Sequence, residues 1–381
     1  MRRVFPFVCA AVLVDTMFFA AITPLLPSYR DELGLSKTAA GLLSAAYPAG
    51  TLLASLPAGW LAGRVGSKAT AITGLALIAA TSIVFGHAES IGVLDAARFV
   101  QGVGGACTWA GALAWLMGVT APERRGQAIG AALGAALFGI LLGPVIGGAA
   151  SETSPELVFS GVGVVATVMV LWALAIPGSD AHRASSWREL GVALRSRSLQ
   201  TAMWVMLLPA LSIGALDVLV PLRLDDLGAG GLTIGALFVA AAAVEGLLNP
   251  VMGRQSDRRG RLPLIRIGLV GMGITALTLS LPTTVWLLGA LLLVSVTWLA
   301  FFWAPAAAML SDSSESLGLD QGFAFGIMNL AWAAGQVGGG AAGGALADLT
   351  SDAVPYAILS LLCAATLVLS RERTPVAAAG A

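Results

Sequence analysis

Apolar residues in this chain run in long unbroken stretches, without the apolar–polar alternation of a half-buried strand. Twelve such stretches begin near Phe5, Thr38, Ala69, Ile91, Ala128, Leu157, Leu199, Leu232, Pro263, Thr284, Gln321 and Val354. A membrane-spanning helix needs about 20 apolar residues, and each stretch is long enough. The pattern predicts an all-α polytopic membrane protein with twelve transmembrane helices, since a barrel needs short alternating segments. No connecting loop is long enough for a second soluble domain.

Within the fifth stretch, Gln127 to Ser151 carries no charge. Gly139, Gly143 and Gly147 fall four apart there and share one helix face. Such a face lets a neighbouring helix approach backbone to backbone, which suggests two packed bodies that move against each other. Pro144 removes one helical hydrogen bond and predicts a bend. Gly335, Gly339, Gly343 and Gly344 repeat Gly139, Gly143, Gly147 and Gly148 at a shift of 196 residues, with Gly340 in place of Pro144. The bend is therefore expected in one copy only.

Other positions repeat as well. At a shift of 194, Pro27 falls on Pro221, Asp31-Glu32-Leu33-Gly34 on Asp225-Asp226-Leu227-Gly228, and Gly59, Arg64 and Gly66 on Gly253, Arg258 and Gly260. The chain reads as two parallel pseudo-symmetric six-helix bundles, residues 1–176 and 199–381, joined by a cytoplasmic linker, 177–198. Parallel six-span halves are an architecture of secondary transporters, with the binding site at the midplane between them.

Composition supports a membrane setting. The chain is 57% hydrophobic and 11% charged, with a mean hydropathy of +0.87, whereas soluble domains carry roughly 25% charged residues. Net charge is zero, which leaves no basic patch for nucleic acid. Cys9, Cys107 and Cys363 lie inside spans without metal-ligand spacing and read as small apolar side chains. The basic, apolar N-terminus resembles a signal peptide, but Asp15, Pro24 and Pro27 interrupt it, so it reads as an uncleaved first span. Of 21 Lys and Arg, Arg98 lies in a span and Arg30, Lys37 and Arg223 fall in outer loops, which leaves 17 in inner segments. That bias places both termini in the cytoplasm. The inner loop with Asp312, Glu315 and Asp320 is an exception to the bias. Two Lys against 19 Arg, with heavy use of Ala and Gly, suggests a GC-rich bacterial source.

Over essentially its whole length the chain resembles the major facilitator superfamily. Gly59-Trp60-Leu61-Ala62-Gly63-Arg64-Val65-Gly66-Ser67-Lys68 is similar to the family's loop signature between spans two and three. Gly253-Arg254-Gln255-Ser256-Asp257-Arg258-Arg259-Gly260-Arg261 is similar to its second copy, and keeps an Asp where the first copy has Gly63. The resemblance implies a cytoplasmic gate of Gly59, Arg64, Gly66, Lys68, Asp257, Arg258, Gly260 and Arg261. Its bases would meet acids or helix C-termini of the opposite half, or serve only to fix topology. Arg98-Phe99-Val100-Gln101-Gly102 resembles a fourth-span signature. The Gly139–Gly148 segment resembles the fifth-span signature of drug:proton antiporters, and twelve spans favour the smaller branch.

A carboxyl group in a water-poor site can take up a proton near neutral pH. Asp15, Asp217 and Glu245 lie within spans. Asp15 is the first candidate for proton coupling. Glu245 reads either as protonatable or as a packing acid facing the Gly139 groove, and Asp217 as protonatable or as a solvated rim carboxylate. A buried arginine needs a partner, so Arg98 is expected to pair with Asp15, with Asp95, or with each in turn, either for coupling or as a static pair. Phe18, Phe19, Tyr47, Trp109, Trp303 and Trp332, with Asn329, lie at depths suited to a substrate cavity. Acids with almost no buried bases favour neutral or cationic solutes.

The expected function is export of small lipophilic or cationic molecules by proton antiport, from a monomer in the cell membrane without a cofactor. The alternative is a porter of a sugar, amino acid or other metabolite, an importer included, which would accumulate its solute rather than confer resistance. No nucleophile–base pair, metal cluster or phosphate loop supports an enzyme; Gly102-Val103-Gly104-Gly105 follows no strand.

Overall fold

The computed structural model describes residues 3–121, 124–178, 187–319 and 321–372. Arg2, His182, Arg183, Asp320, Arg373 and most of the linker lie outside them. Twelve helices cross the molecule: α1, Val4–Leu33; α2, Lys37–Arg64; α3, Ser67–Gly86; α4, Ile91–Gly118; α5, Arg125–Glu152; α6, Pro155–Leu174; α7, Arg197–Asp226; α8, Gly231–Arg259; α9, Arg261–Thr278; α10, Val285–Ser316; α11, residues 321–349; and α12, Ala353–Glu372. Ten are long and apolar enough to span a membrane by length and composition alone. The other two are α4, which buries Arg98 and Gln101, and α11, which a π turn interrupts.

Local chemistry explains the boundaries. The Ser36, Ser154 and Thr284 side chains cap α2, α6 and α10 by accepting the amides of Ala39, Leu157 and Leu287, which satisfies donors left free at a helix start. Gly66 and Gly260 stand between α2 and α3 and between α8 and α9 with φ +107° and +83°, a conformation that costs glycine nothing. Gly34 and Gly228 end α1 and α7 with φ +67° and +88°. All four sit at the 194-residue repeat, so the repeat is present in the backbone as well as the sequence.

The helices form two bundles of six. In the first, α1 packs on α5, and α4 on α2 and α3; in the second, α7 packs on α11 and α10, and α9 on α10 and α12. The bundles meet where α2 faces α11 and α5 faces α8. Val164, Leu171, Ile274 and Leu361 point outward from α6, α9 and α12 and are each more than half exposed, as lipid-facing side chains are.

The glycine stripes have a different partner from the one expected. A Cβ on Gly139 would strike Thr16 and the Leu13 carbonyl, on Gly143 the Met17 carbonyl, and on Gly147 the Ala21 carbonyl. All of these belong to α1, in the same bundle. Gly335 and Gly339 lie in the same way against the Leu207 and Leu211 carbonyls of α7. Thr16 Oγ1 donates to the Ala136 carbonyl of α5 at 2.8 Å across this close seam. The stripes therefore hold each bundle together internally. The opposite edge of each helix meets the other bundle: the Pro144 carbonyl lies against Gly235 and Gly148 faces Gly231, while Gly340 and Gly344 lie against Gly41 of α2.

An interruption of the regular helical ladder is not confined to the half with Pro144. Where α5 has Pro144, α11 leaves α-helical hydrogen bonding in a π turn, Gly338–Ala342. Proline and π turns both interrupt the regular ladder. A run of glycines in α11 permits by backbone freedom what Pro144 imposes on α5.

Candidate functional site

The site is built around a break in α1. Regular helix ends at Ala20, a 3₁₀ turn follows over Thr23–Leu25, and helix resumes at Leu26 under Pro24 and Pro27. Asp15 lies on the segment before the break and is 1% exposed. Its carboxylate is held from two helices: the Tyr47 hydroxyl of α2 donates to Oδ1 at 2.7 Å, and the Trp109 indole N–H of α4 donates to Oδ2 at 2.8 Å. Both donors are neutral. Gly105, one turn above Trp109 on α4, leaves the space that Tyr47 and Asp15 occupy, for a Cβ there would strike the Tyr47 hydroxyl and stand 2.9 Å from Asp15 Oδ1.

Arg98, 1% exposed, does not pair as expected. Among the described residues, no carboxylate lies within ion-pair distance of it. Its guanidinium donates instead to the Phe18 and Phe19 carbonyls of α1, both at 3.1 Å, and to Gln101 Oε1 at 3.2 Å. The reason is the break. The last carbonyls of a helix lose their regular partners and carry partial negative charge that favours a cation; the Phe18 carbonyl here also accepts the Ala21 amide at 3.3 Å. Arg98 occupies the C-terminal end of a helix rather than a carboxylate. Asp95, one turn earlier, is half-buried, and its Oδ1 has no hydrogen-bond partner. The Tyr47 ring lies 5.2 Å from the guanidinium, between it and Asp15.

The predicted cavity residues separate into two groups. Phe18 is 2% exposed and packs on Phe159 of α6 at 5.9 Å, so it belongs to the bundle core and not to a central path. Phe19, the next residue along the helix, points the other way. Its ring lies 5.3 Å from Tyr47 and 5.3 Å from Trp332 of α11, so it touches both bundles. Asn329 lies one turn from Trp332 on α11, and Gln336, one turn beyond Trp332, is buried. Gln336 was not singled out from the sequence, because only its place on this face distinguishes it.

Glu245 does not face the Gly139 groove, which α1 fills. It sits against the side chains of Asn249, one turn on in α8, and Trp303 of α10, and Asp217 of α7 is close enough to feel its charge. Asp15 and this acidic pair therefore belong to different bundles. A cavity of about 430 Å³ opens elsewhere in the second bundle, lined by Arg197, Thr201, Arg261 and Asp312 among others; it adjoins none of the three acids.

The gate bases also differ from expectation. Lys68 does meet a helix C-terminus, donating to the Leu174 and Ile176 carbonyls at 3.1 and 2.6 Å, but α6 belongs to its own bundle. Arg261 pairs with Asp312, again within one bundle. Arg64 stacks on Trp60 at 5.0 Å, and Asp257 and Arg258 are exposed. Among the described residues, no ion pair joins the bundles at this end. The bundles are clasped at the other end. There Arg30 of α1 pairs with Asp225 and Asp226 of α7, Lys37 of α2 pairs with Asp352 at 2.6 Å, and the Thr38 hydroxyl donates to Asp348 at 2.7 Å. Every base in the clasp comes from the first bundle and every acid from the second. The sequence shows these residues only as sparse loop charges.

Residues 8–223 and 202–380 both match the Major Facilitator Superfamily. The chain belongs to that superfamily. Its relatives include multidrug resistance protein 1 of Bacillus subtilis, 25% identical over 350 residues with 89% of each chain covered. Multidrug resistance protein 2 of the same organism is 24% identical, with 91% of this chain and 90% of the relative covered. Among solved structures, a bacterial homologue of the human lysosomal transporter Spinster, inward-facing and unoccupied, superposes with a TM-score of 0.77 at 14% identity, covering 97% of this chain and 94% of that one. The Major Facilitator Superfamily fold accounts for the two bundles and places this member in a membrane as a multi-pass transporter.

Proposed function

We propose that this transporter exports small lipophilic or cationic molecules by proton antiport, with alternating access between the two bundles of a single chain. The observation that carries the reading is Asp15: a buried carboxylate held by two neutral donors, with no ion pair to break when a proton arrives or leaves. Asp217 and Glu245 are the corresponding candidates in the second bundle. The two terminal nitrogens of Arg98 donate to the Phe18 and Phe19 carbonyls and to Gln101, an arrangement that does not favour an organic anion. An aromatic contact of Phe19, Tyr47 and Trp332 between bundles suits a flat apolar solute, and rings attract cations. The relatives named as multidrug resistance proteins point the same way.

The bias of Lys and Arg puts both termini and the Arg64 end in the cytoplasm, in a bacterial plasma membrane. The Arg30 clasp then lies on the outer side. Proteoliposomes test the proton step: a pH gradient should drive uphill movement of a lipophilic cation by the native chain, and Asp15→Asn should abolish it. Unchanged gradient-driven transport by Asp15→Asn would remove Asp15 as the coupling group.

A further inference from the structure

We propose that Tyr47 is a positioning residue that ties the charge on Asp15 to the aromatic contact between the bundles, through Phe19 and Trp332. The inference rests on the reading of Asp15 as the proton site. Tyr47 makes three contacts at once. Its hydroxyl donates to Asp15 at 2.7 Å, its ring centroid lies 5.2 Å from the Arg98 guanidinium carbon, and that centroid is 5.3 Å from the centroid of Phe19. Phe19 is itself bound at both ends: its carbonyl accepts from Arg98 at 3.1 Å and its ring meets Trp332 at 5.3 Å. A continuous path of contact therefore runs from the carboxylate in the first bundle to a tryptophan in the second.

The path carries a signal because its first link depends on charge. A hydroxyl donating to a carboxylate makes a charge-assisted bond, roughly twice as strong as a neutral one. When Asp15 takes up a proton, the carboxylate becomes a carboxylic acid and the draw on the Tyr47 hydroxyl falls. The Tyr47 ring is then held by Arg98 and Phe19 alone. Those two partners converge on the break of α1, where backbone hydrogen bonding is already interrupted. Coupling of this kind requires an element that can change arrangement, and the break of α1 is where this helix can do so. The charged and titratable groups facing Asp15 are few: Tyr47 from α2 and Arg98 from α4. The facing lengths of α5, Gln127 to Ser151, and of α6, Leu157 to Leu174, carry no charged side chain.

Fluorine NMR of the full chain labelled with 5-fluorotryptophan tests the link without a solute. The Trp109 and Trp332 resonances are assigned by Trp109→Phe and Trp332→Phe. In the native protein both should shift with pH in one shared step, and Asp15→Asn should abolish both shifts. Tyr47→Phe keeps the ring and so keeps its contacts with Arg98 and Phe19. It should leave the Trp109 step in place and remove the Trp332 step. A Trp332 step that survives Tyr47→Phe overturns the proposal, as does a native Trp332 resonance that ignores a Trp109 titration. A Trp109 resonance that never titrates in native protein removes the proton reading of Asp15 itself, and the proposal with it. A merely structural role for Tyr47 would move both resonances at every pH and leave their shared step intact.

Discussion

Gly105 of α4 lies against the Tyr47 hydroxyl of α2, so close that no side chain fits between them. This packing lets a tyrosine from one helix reach an aspartate on another across the face of a third. Gly105→Ala should push Tyr47 from Asp15 while keeping every polar group in the site. Gradient-driven efflux should fall by about tenfold, the worth of a hydrogen bond to a charged group. The stability cost should stay at about 1–3 kcal/mol, as for other overpacked sites. Parallel measurement of efflux and thermal unfolding checks both; a large loss of stability with unchanged efflux per folded molecule contradicts the geometry.

Arg98 and Asp15 should not behave as a buried ion pair. Removing one member of a true buried ion pair costs about 3–5 kcal/mol. Here the carboxylate is not the partner of the arginine, so Asp15→Asn should leave the unfolding midpoint close to native. Arg98→Met strands the Phe19 carbonyl, while the Phe18 carbonyl keeps the Ala21 amide, and should destabilise by about 1–3 kcal/mol. A double-mutant cycle on the unfolding free energy reads the coupling between the two, and a coupling of ion-pair size would contradict the carbonyl assignment.

Neighbouring glycines of α11 should differ sharply. A methyl on Gly339 meets the Leu211 carbonyl of α7, which cannot move without displacing a helix, whereas a methyl on Gly340 finds its nearest atom, the Gly41 carbonyl, at 3.4 Å. Gly339→Ala should therefore lower the unfolding temperature clearly and Gly340→Ala hardly at all. Equal effects would mean that the stripe does not pack on α7.

The outer clasp should respond to charge reversal. Lys37→Asp places a like charge against Asp352 and should separate the bundles at this end; Asp352→Lys should do the same. The double exchange restores opposite charges and should restore closure in part. Distances between spin labels at the exposed residues 32 and 350 measure it directly. Lengthening in the double variant equal to that in the singles would show that the 2.6 Å pair does not help to hold the end shut.

Much of this architecture was legible in the chain. Long apolar runs determine helices in lipid, because an unpaired backbone group has no water to turn to. The shift of 194–196 residues predicts two like bundles, and Gly34, Gly66, Gly228 and Gly260 express it in their backbone angles. The carboxylates worth attention stood out as charges in apolar surroundings. Their partners did not. Sequence spacing suggests that Arg98 should seek an acid, but its partners are carbonyls at the break of α1 and Gln101, and every residue has a carbonyl. The Gly139 face suggests two bodies that move against each other, yet which helix fills a groove depends on packing in three dimensions. The sequence by itself determined the helices, their repeat and their buried charges, because these follow from local chemistry and from the cost of polarity in lipid. Only the tertiary structure decided that Tyr47 stands between Asp15 and Arg98, and that the bundles close at the Arg30 end. Those relationships join residues tens to hundreds of positions apart, and no periodicity along the chain encodes a distance between helices.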